Sequence, residues 1–320
     1  MNPVSRKSVS SGFRPLALAL LSALGIGWAA QTGRTGGRFD VGGYRLDLHC
    51  TAPAPGPTVL LLGGLEEATE AWPVTAYDVA RTHRVCWYAM AGVSPSDPAP
   101  GVTDGVARAE ELHRLLIRAG VKGPFVLVAY RFGSQIARLY TDRHRTNVAG
   151  MVLVNPWQED LAPALDAFFR QNPPVLDDLG SAPANRYTPP SPLGGVRALQ
   201  QFVRAYTVGA STWKAGWNIR AGDAQVRRAA PLGELPLVVV TPHLDAFSVA
   251  QAGTLKSMYG QRLWRILGDS QARLTRLSHN SDQVFSEVAW DAVQNEDPGL
   301  VLGALRRVLT VAQGSSALGR

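Results

Sequence analysis

A chain of 320 residues, 46% apolar and 18% charged, looks globular and is long enough for one large α/β domain or two small ones. Its formal charge of +7 is spread along the sequence. No dense basic run interleaves with aromatics, which argues for a solvated basic surface and against a nucleic-acid interface.

The first element is a leader. Arg6, Lys7 and Arg14 precede the charge-free apolar run "PLALALLSALGIGWAA", Pro15 to Ala30. A basic flank followed by an apolar core is the pattern of an export signal. The run is short for a spanning helix, which takes roughly 17–25 residues, although Gly12-Phe13 extends it slightly. Gly27-Trp28-Ala29 supplies small residues at cleavage spacing, so removal and retention as a membrane anchor both stay open. Either way the pattern predicts an exported protein, secreted or held on the extracytoplasmic side of the cell envelope.

Turn-rich breaks at 33–37 and 51–57 bracket "RFDVGG" and "YRLDLHC", whose alternation predicts a solvent-facing hairpin. "TVLLLGG" (58–64) is then a continuous apolar run ending in glycines. "RVCWYAM" (84–90), "FVLVAY" (125–130), "GMVLVNP" (150–156) and "LPLVVVTP" (235–242) repeat that form. Such uninterrupted runs suit parallel strands buried on both faces. Helical spacing predicts helices over Asp104 to Gly120, Gly133 to His144 and Pro298 to Val311. The sum is a doubly wound, mostly parallel sheet behind an antiparallel N-terminal hairpin.

From Trp157 to Gly233, prolines and glycines surround short helical patches, and an insertion of this size predicts a helical cap after the sixth strand. These signals divide the chain into a leader and linker (1–37), a core (38–156 and 234–313), a cap (157–233) and a flexible tail (314–320). Cys50 and Cys86 each fall in a predicted strand. An exported chain permits a disulfide between them, and two buried thiols fit the residues equally well. Neither has a neighbour at metal-ligand spacing, and no metal or other cofactor is expected.

The stretch "GPFVLVAYRFGSQIARLY", Gly123 to Tyr140, reads as a buried strand, a sharp turn and an amphipathic helix. In that setting a turn of the form G-x-S-x-G presents a nucleophilic serine. Here the five residues run from Ala129 to Gly133, with Arg131 at the serine position.

From about Arg38 to Leu309 the chain resembles the α/β-hydrolase superfamily, in its exported, esterase-like branch. "VGGYRLDLHC" looks like the opening hairpin, and "PTVLLLGGLEEATEAW" like the strand and loop that supply part of the oxyanion hole. "RVCWYAMAGVSPSDP", the elbow and "VAGMVLVNP" continue the resemblance. "LTRLSHNSDQVFSEVAWDAVQNEDPGLV" looks like the last strand and the histidine loop, with His279 placed after that strand and in no catalytic role. The resemblance also implies a Cys50–Cys86 disulfide.

At the chemical positions the sequence departs from the family. The elbow serine is Arg131, preceded by Tyr130. The catalytic histidine position, counted back from Pro298, holds Asp291, preceded by Trp290. Asn155 stands where some members carry the acid, and Ala89-Met90 replaces a usual Asp-Arg pair. The remaining acid candidate is Asp245.

Acyl transfer in this fold needs an alkoxide-forming hydroxyl, a base within reach and an acid to orient it. Arginine stays protonated and offers no nucleophile, and a carboxylate beside it is a poor base near neutral pH. Ser134, one residue past the elbow, is expected to cap the helix or meet solvent. His243 with Asp245 could activate water, although a loop role fits His243 better.

The opposite charges at facing positions predict a charge-assisted Arg131–Asp291 pair, with Glu66 and Glu67 as rival partners for the arginine. Gly64, Leu65, Phe132 and His243 would border that pocket, and Tyr130, Trp157, Phe168 and Trp290 would wall it. The expected function is therefore a non-catalytic hydrolase-like binding or scaffold protein of the envelope. It would take an envelope partner or a small anionic or apolar ligand. The alternative is a hydrolase acting on ester bonds through relocated residues.

Overall fold

The computed structural model describes residues 35–64, 72–172, 203–204, 206, 216–242, 258–289 and 291–318. Its centre is an eight-stranded sheet in the order β1-β2-β4-β3-β5-β6-β7-β8. The strands are β1 (Thr35–Asp40), β2 (Arg45–Cys50), β3 (Thr58–Leu62), β4 (Val85–Tyr88), β5 (Phe125–Tyr130), β6 (Val148–Val154), β7 (Leu237–Thr241) and β8 (Ser281–Phe285). β1 pairs antiparallel with β2, and β2 with β4; every other neighbouring pair is parallel.

Burial explains which runs became which strands. β3, β5 and β7 are buried along their whole length, as parallel strands covered on both faces require. β1 alternates between exposed and half-buried residues, because only one of its faces has a partner. Cys50 stands directly opposite Cys86 across the β2–β4 pair, and the two are joined by a disulfide.

Strand alternation sorts the side chains between two cores. Phe125, Leu127 and Ala129 of β5 enter one core together with Leu112 and Leu115 of α2 (Gly105–Arg118) and Ile136 and Leu139 of α3 (Gly133–Arg143). Val126, Val128 and Tyr130 enter the other. There they meet Ala76 and Val79 of α1 (Pro73–Val79) and Val301, Leu305 and Val308 of the C-terminal helix α8 (Pro298–Leu318). The period of two thus places Tyr130 on the α8 side and leaves the next residue, Arg131, at the tip of the strand.

α2 begins and ends where its residues predict. The Asp104 carboxylate accepts from Ala107 N at 2.8 Å, and Gly120 follows the helix with φ 65°, a conformation that suits glycine. α3 begins against the end of β3, where a Cβ on Gly133 would stand 2.5 Å from the Gly63 carbonyl oxygen. Between β6 and β7 lie α4 (Leu161–Gln171) and α5 (Ile219–Val226), and after β7 comes α6 (Met258–Leu274).

Three expectations differ from the structure. The last strand is Ser281–Phe285 and not the preceding "LTRL", which closes α6 and forms a 3₁₀ turn. β8 sits at the sheet edge, so its half-exposed residues carry no continuous apolar run. His279 accordingly precedes the last strand, exposed and 2.9 Å from Glu234. Finally α8, followed after the short α7 (Val293–Glu296), continues to Leu318 through most of the expected tail, since no proline interrupts it.

Candidate functional site

The turn between β5 and α3 is strained, with Arg131 at its tip. Arg131 has φ 47°, in the left-handed region that side chains larger than glycine rarely occupy. Backbone bonds hold it there. Arg131 N donates to the Val154 carbonyl at 3.1 Å, and its own carbonyl accepts from Ser134 N and Trp157 N, each at 3.1 Å. At the tip of the neighbouring strand, Asn155 is also left-handed, with φ 40°, and its N–H donates to Val240 O at 2.8 Å.

These two tips aim donors at one carboxylate. Arg131 Nε donates to Asp291 Oδ1 at 3.1 Å, and Arg131 Nη2 donates to Asp291 Oδ2. The Tyr130 hydroxyl donates to Oδ1 at 3.1 Å, and Asn155 Nδ2 reaches Oδ1 at 3.0 Å and the Asp291 backbone carbonyl at 3.1 Å. Gln271 Nε2, from α6, donates to Asn155 Oδ1 at 2.8 Å and so fixes which end of the amide faces Asp291. The guanidinium also lies 5.3 Å from the Tyr130 ring centroid. The pair is partly open to water, with side-chain exposures of 42% for Arg131 and 23% for Asp291.

The structure thus brings Tyr130, Arg131, Asn155 and Asp291 to one point and places Ser134 elsewhere. Ser134 is fully buried, and its hydroxyl donates to the Trp157 carbonyl at 3.0 Å. It neither caps α3 nor meets solvent, because the chain after β6 folds back over the helix. Trp157 stacks on Phe132 with ring centroids 4.7 Å apart. Phe168 belongs to a cluster with Leu165, Phe169, Val203 and Leu263, against which Trp157 also packs. Ala89 and Met90 are buried, and Gly64 is buried at the end of β3. Leu65, Glu66, Glu67, His243, Asp245 and Trp290 lie outside the described residues.

A second polar cluster, absent from the sequence reading, lies beneath Trp157. Asp223 of α5 is 1% exposed and accepts from Tyr206 Oη at 2.7 Å, Gln135 Nε2 at 2.8 Å and Trp157 Nε1 at 3.3 Å. Burial pushes its carboxyl up to about 6, against the pull of those three hydrogen bonds. Burial and the adjacent carboxylate raise the Tyr206 phenol as well. Nearby, Arg138 of α3 makes a two-pronged bond to Glu159, at 2.5 and 2.9 Å. Burial alone would raise Glu159, but that guanidinium holds it below the ordinary range. The sequence signal for Gln271 is the helical spacing of Leu263, Ile266, Leu267 and Leu274, which marks α6.

Chemically, the strand tips hold donors and one acceptor already occupied by them. Arginine and asparagine supply no nucleophile, and Asp291 has both oxygens engaged. Among the described residues no group of three or more His, Cys, Asp or Glu side chains is arranged to hold a metal. No helix among them is long and apolar enough to cross a membrane.

A family model described as "alpha/beta hydrolase fold" matches residues 57–190. An uncharacterized vacuolar membrane protein of Saccharomyces cerevisiae is 34% identical over 91 residues, 28% of this chain but only 14% of the yeast protein. The chain therefore spans a small fraction of that relative's length. Among solved structures, a putative lipase from Acinetobacter baumannii aligns over 96% of this chain and 100% of its own, with TM-score 0.59 and 15% identity. A thermophilic esterase from Thermogutta terrifontis aligns over 87% and 98%, with TM-score 0.55 and 18% identity. Identities this low speak for the fold alone. By its family match, its strand order and its structural neighbours, this chain is an α/β-hydrolase-fold protein.

Proposed function

We propose that this protein is a non-catalytic α/β-hydrolase-fold member, exported through its N-terminal segment and acting as a binding or scaffold protein of the cell envelope. One observation carries the reading: where acyl transfer needs a hydroxyl and a free base, the strand tips hold a guanidinium and a carboxylate bonded to each other. Losing the serine or the histidine alone costs about 10⁶-fold in turnover in a serine protease. Both positions differ here. Ser134, the nearest hydroxyl past the elbow, is committed to a backbone carbonyl.

The competing reading is an ester hydrolase with relocated residues, favoured by the esterase and lipase among its fold neighbours. A panel of ester substrates offered to the purified full chain separates the two. The non-catalytic reading expects turnover at the buffer rate. Turnover that purifies with the protein and disappears in Ser134→Ala or His243→Ala would replace it with the hydrolase reading. Within the non-catalytic class, the sequence expects either an envelope partner or a small anionic or apolar ligand.

A further inference from the structure

The hydrogen bonds at the strand tips are unevenly anchored. The donors stand on two neighbouring inner strands: Tyr130 is the last residue of β5, Arg131 follows it, and Asn155 follows β6. Two left-handed backbone conformations aim them, and each is fixed by bonds that do not involve Asp291: Arg131 N to Val154 O, Asn155 N to Val240 O, and Gln271 Nε2 to Asn155 Oδ1. Tyr130 is 1% exposed and locked in the core. The acceptor stands on the connection between β8 and α7, where its backbone carbonyl accepts from Val293 N at 3.0 Å and from Asn155 Nδ2 at 3.1 Å.

The Asn155 amide, the Tyr130 phenol and the Arg131 backbone are thus placed by bonds and packing that do not involve Asp291, and a donor set so placed is a receptor. Its shape is specific. The guanidinium offers two parallel N–H bonds, one to each oxygen of Asp291, and the phenol and amide both add to Oδ1. That geometry suits a planar carboxylate held side-on by arginine. The site is also reachable, since the Arg131 side chain keeps 42% of its surface exposed.

We propose that Tyr130, Arg131 and Asn155 form a receptor for one carboxylate group and that Asp291 is its resident occupant. The ligand of the pocket is then a carboxylate-bearing molecule that competes with Asp291. This rests on the non-catalytic reading of the same site, and it narrows the ligand to an organic acid. Asp291 is tethered, so a free carboxylate meets it at high effective concentration and binds weakly to the wild type. Removing the Asp291 side chain takes its carboxylate from the three donors and leaves the Arg131 N–Val154 O, Asn155 N–Val240 O and Gln271–Asn155 bonds in place.

The test is titration of Asp291→Ala with formate and acetate, against chloride at matched ionic strength, read as melting temperature. A saturable rise is expected, with an apparent Kd at least about tenfold tighter than for the wild type. The rise should vanish in Asp291→Ala combined with Arg131→Gln. A response no larger than chloride gives, or one that survives Arg131→Gln, overturns the proposal. Should Asp291→Ala not fold in chloride, its refolding yield from urea with formate against chloride gives the same decision. Ester turnover by the wild type would remove the non-catalytic reading and leave this result standing, so the two fail separately.

Discussion

At Arg131 the backbone makes the sharp left-handed turn of a strand-to-helix elbow, with a guanidinium at its tip. Its left-handed φ of 47° costs roughly 1–2 kcal/mol relative to an ordinary conformation, and the bonds from Val154, Ser134 and Trp157 maintain it. Asn155 repeats the arrangement one strand away. Arg131, Asp291 and Asn155 were legible as positions, because each falls at a fixed offset from a strand or from Pro298. What they bond to was legible only in part. Opposite charges at facing positions pointed to the Arg131–Asp291 contact, whereas nothing in the sequence pointed to Gln271 as the support for Asn155.

Asp223 was hidden for another reason: a carboxylate on a short helical patch reads as solvated until the fold buries it. Its carboxyl, raised to about 6, binds its proton more tightly in the folded state than in the unfolded one. The buried charge therefore weakens the fold above that value, and the penalty disappears as pH falls from about 6 toward 4. Chemical unfolding of wild type and Asp223→Asn at about pH 7.5 and pH 4.5 should show the wild type gaining on the variant at the lower pH. The expected gain is on the order of 2 kcal/mol. A constant difference across that range would mean that Asp223 titrates normally. Glu159 and Asp160, whose carboxyls are lowered, change stability in the opposite direction, and taking the difference between the two proteins removes them.

Among the parallel strands, those buried on both faces were legible in the sequence. β3, β5, β6 and β7 are apolar runs because helices cover both sides, and that pattern needs no knowledge of partners. β8 has a neighbour on one side only, so its residues need not be apolar, and the more apolar "LTRL" before it took its place in the reading. α6 was missed, although it supplies Gln271 to the site. The joint between β5 and α3 depends on Gly133, whose missing Cβ lets the helix start against the Gly63 carbonyl. That neighbour is backbone and has little room to give. Gly133→Ala should cost roughly 1–3 kcal/mol in thermal or denaturant unfolding, as overpacking of a tight joint does. A cost near zero would show that β3 and α3 adjust freely. The elbow frame would then owe its persistence to something other than packing.

For the whole molecule, the sheet order brings the ends of β5 and β6 and the segment after β8 to one edge, although Arg131 and Asp291 are far apart in sequence. This is the edge where doubly wound folds place their ligands. At that convergence stand an ion pair, an amide and a phenol, bonded to one another. A double-mutant cycle of Arg131→Ala and Asp291→Ala, measured by global unfolding in chloride without carboxylate buffers, tests this most directly. Because both side chains are partly exposed, the account predicts a favourable coupling of about 1 kcal/mol, near the low end for contacting residues, with the double variant less destabilised than the two single losses added together. Losses additive to within roughly 0.3 kcal/mol would contradict the claim that Arg131 and Asp291 act as a pair at the strand tips.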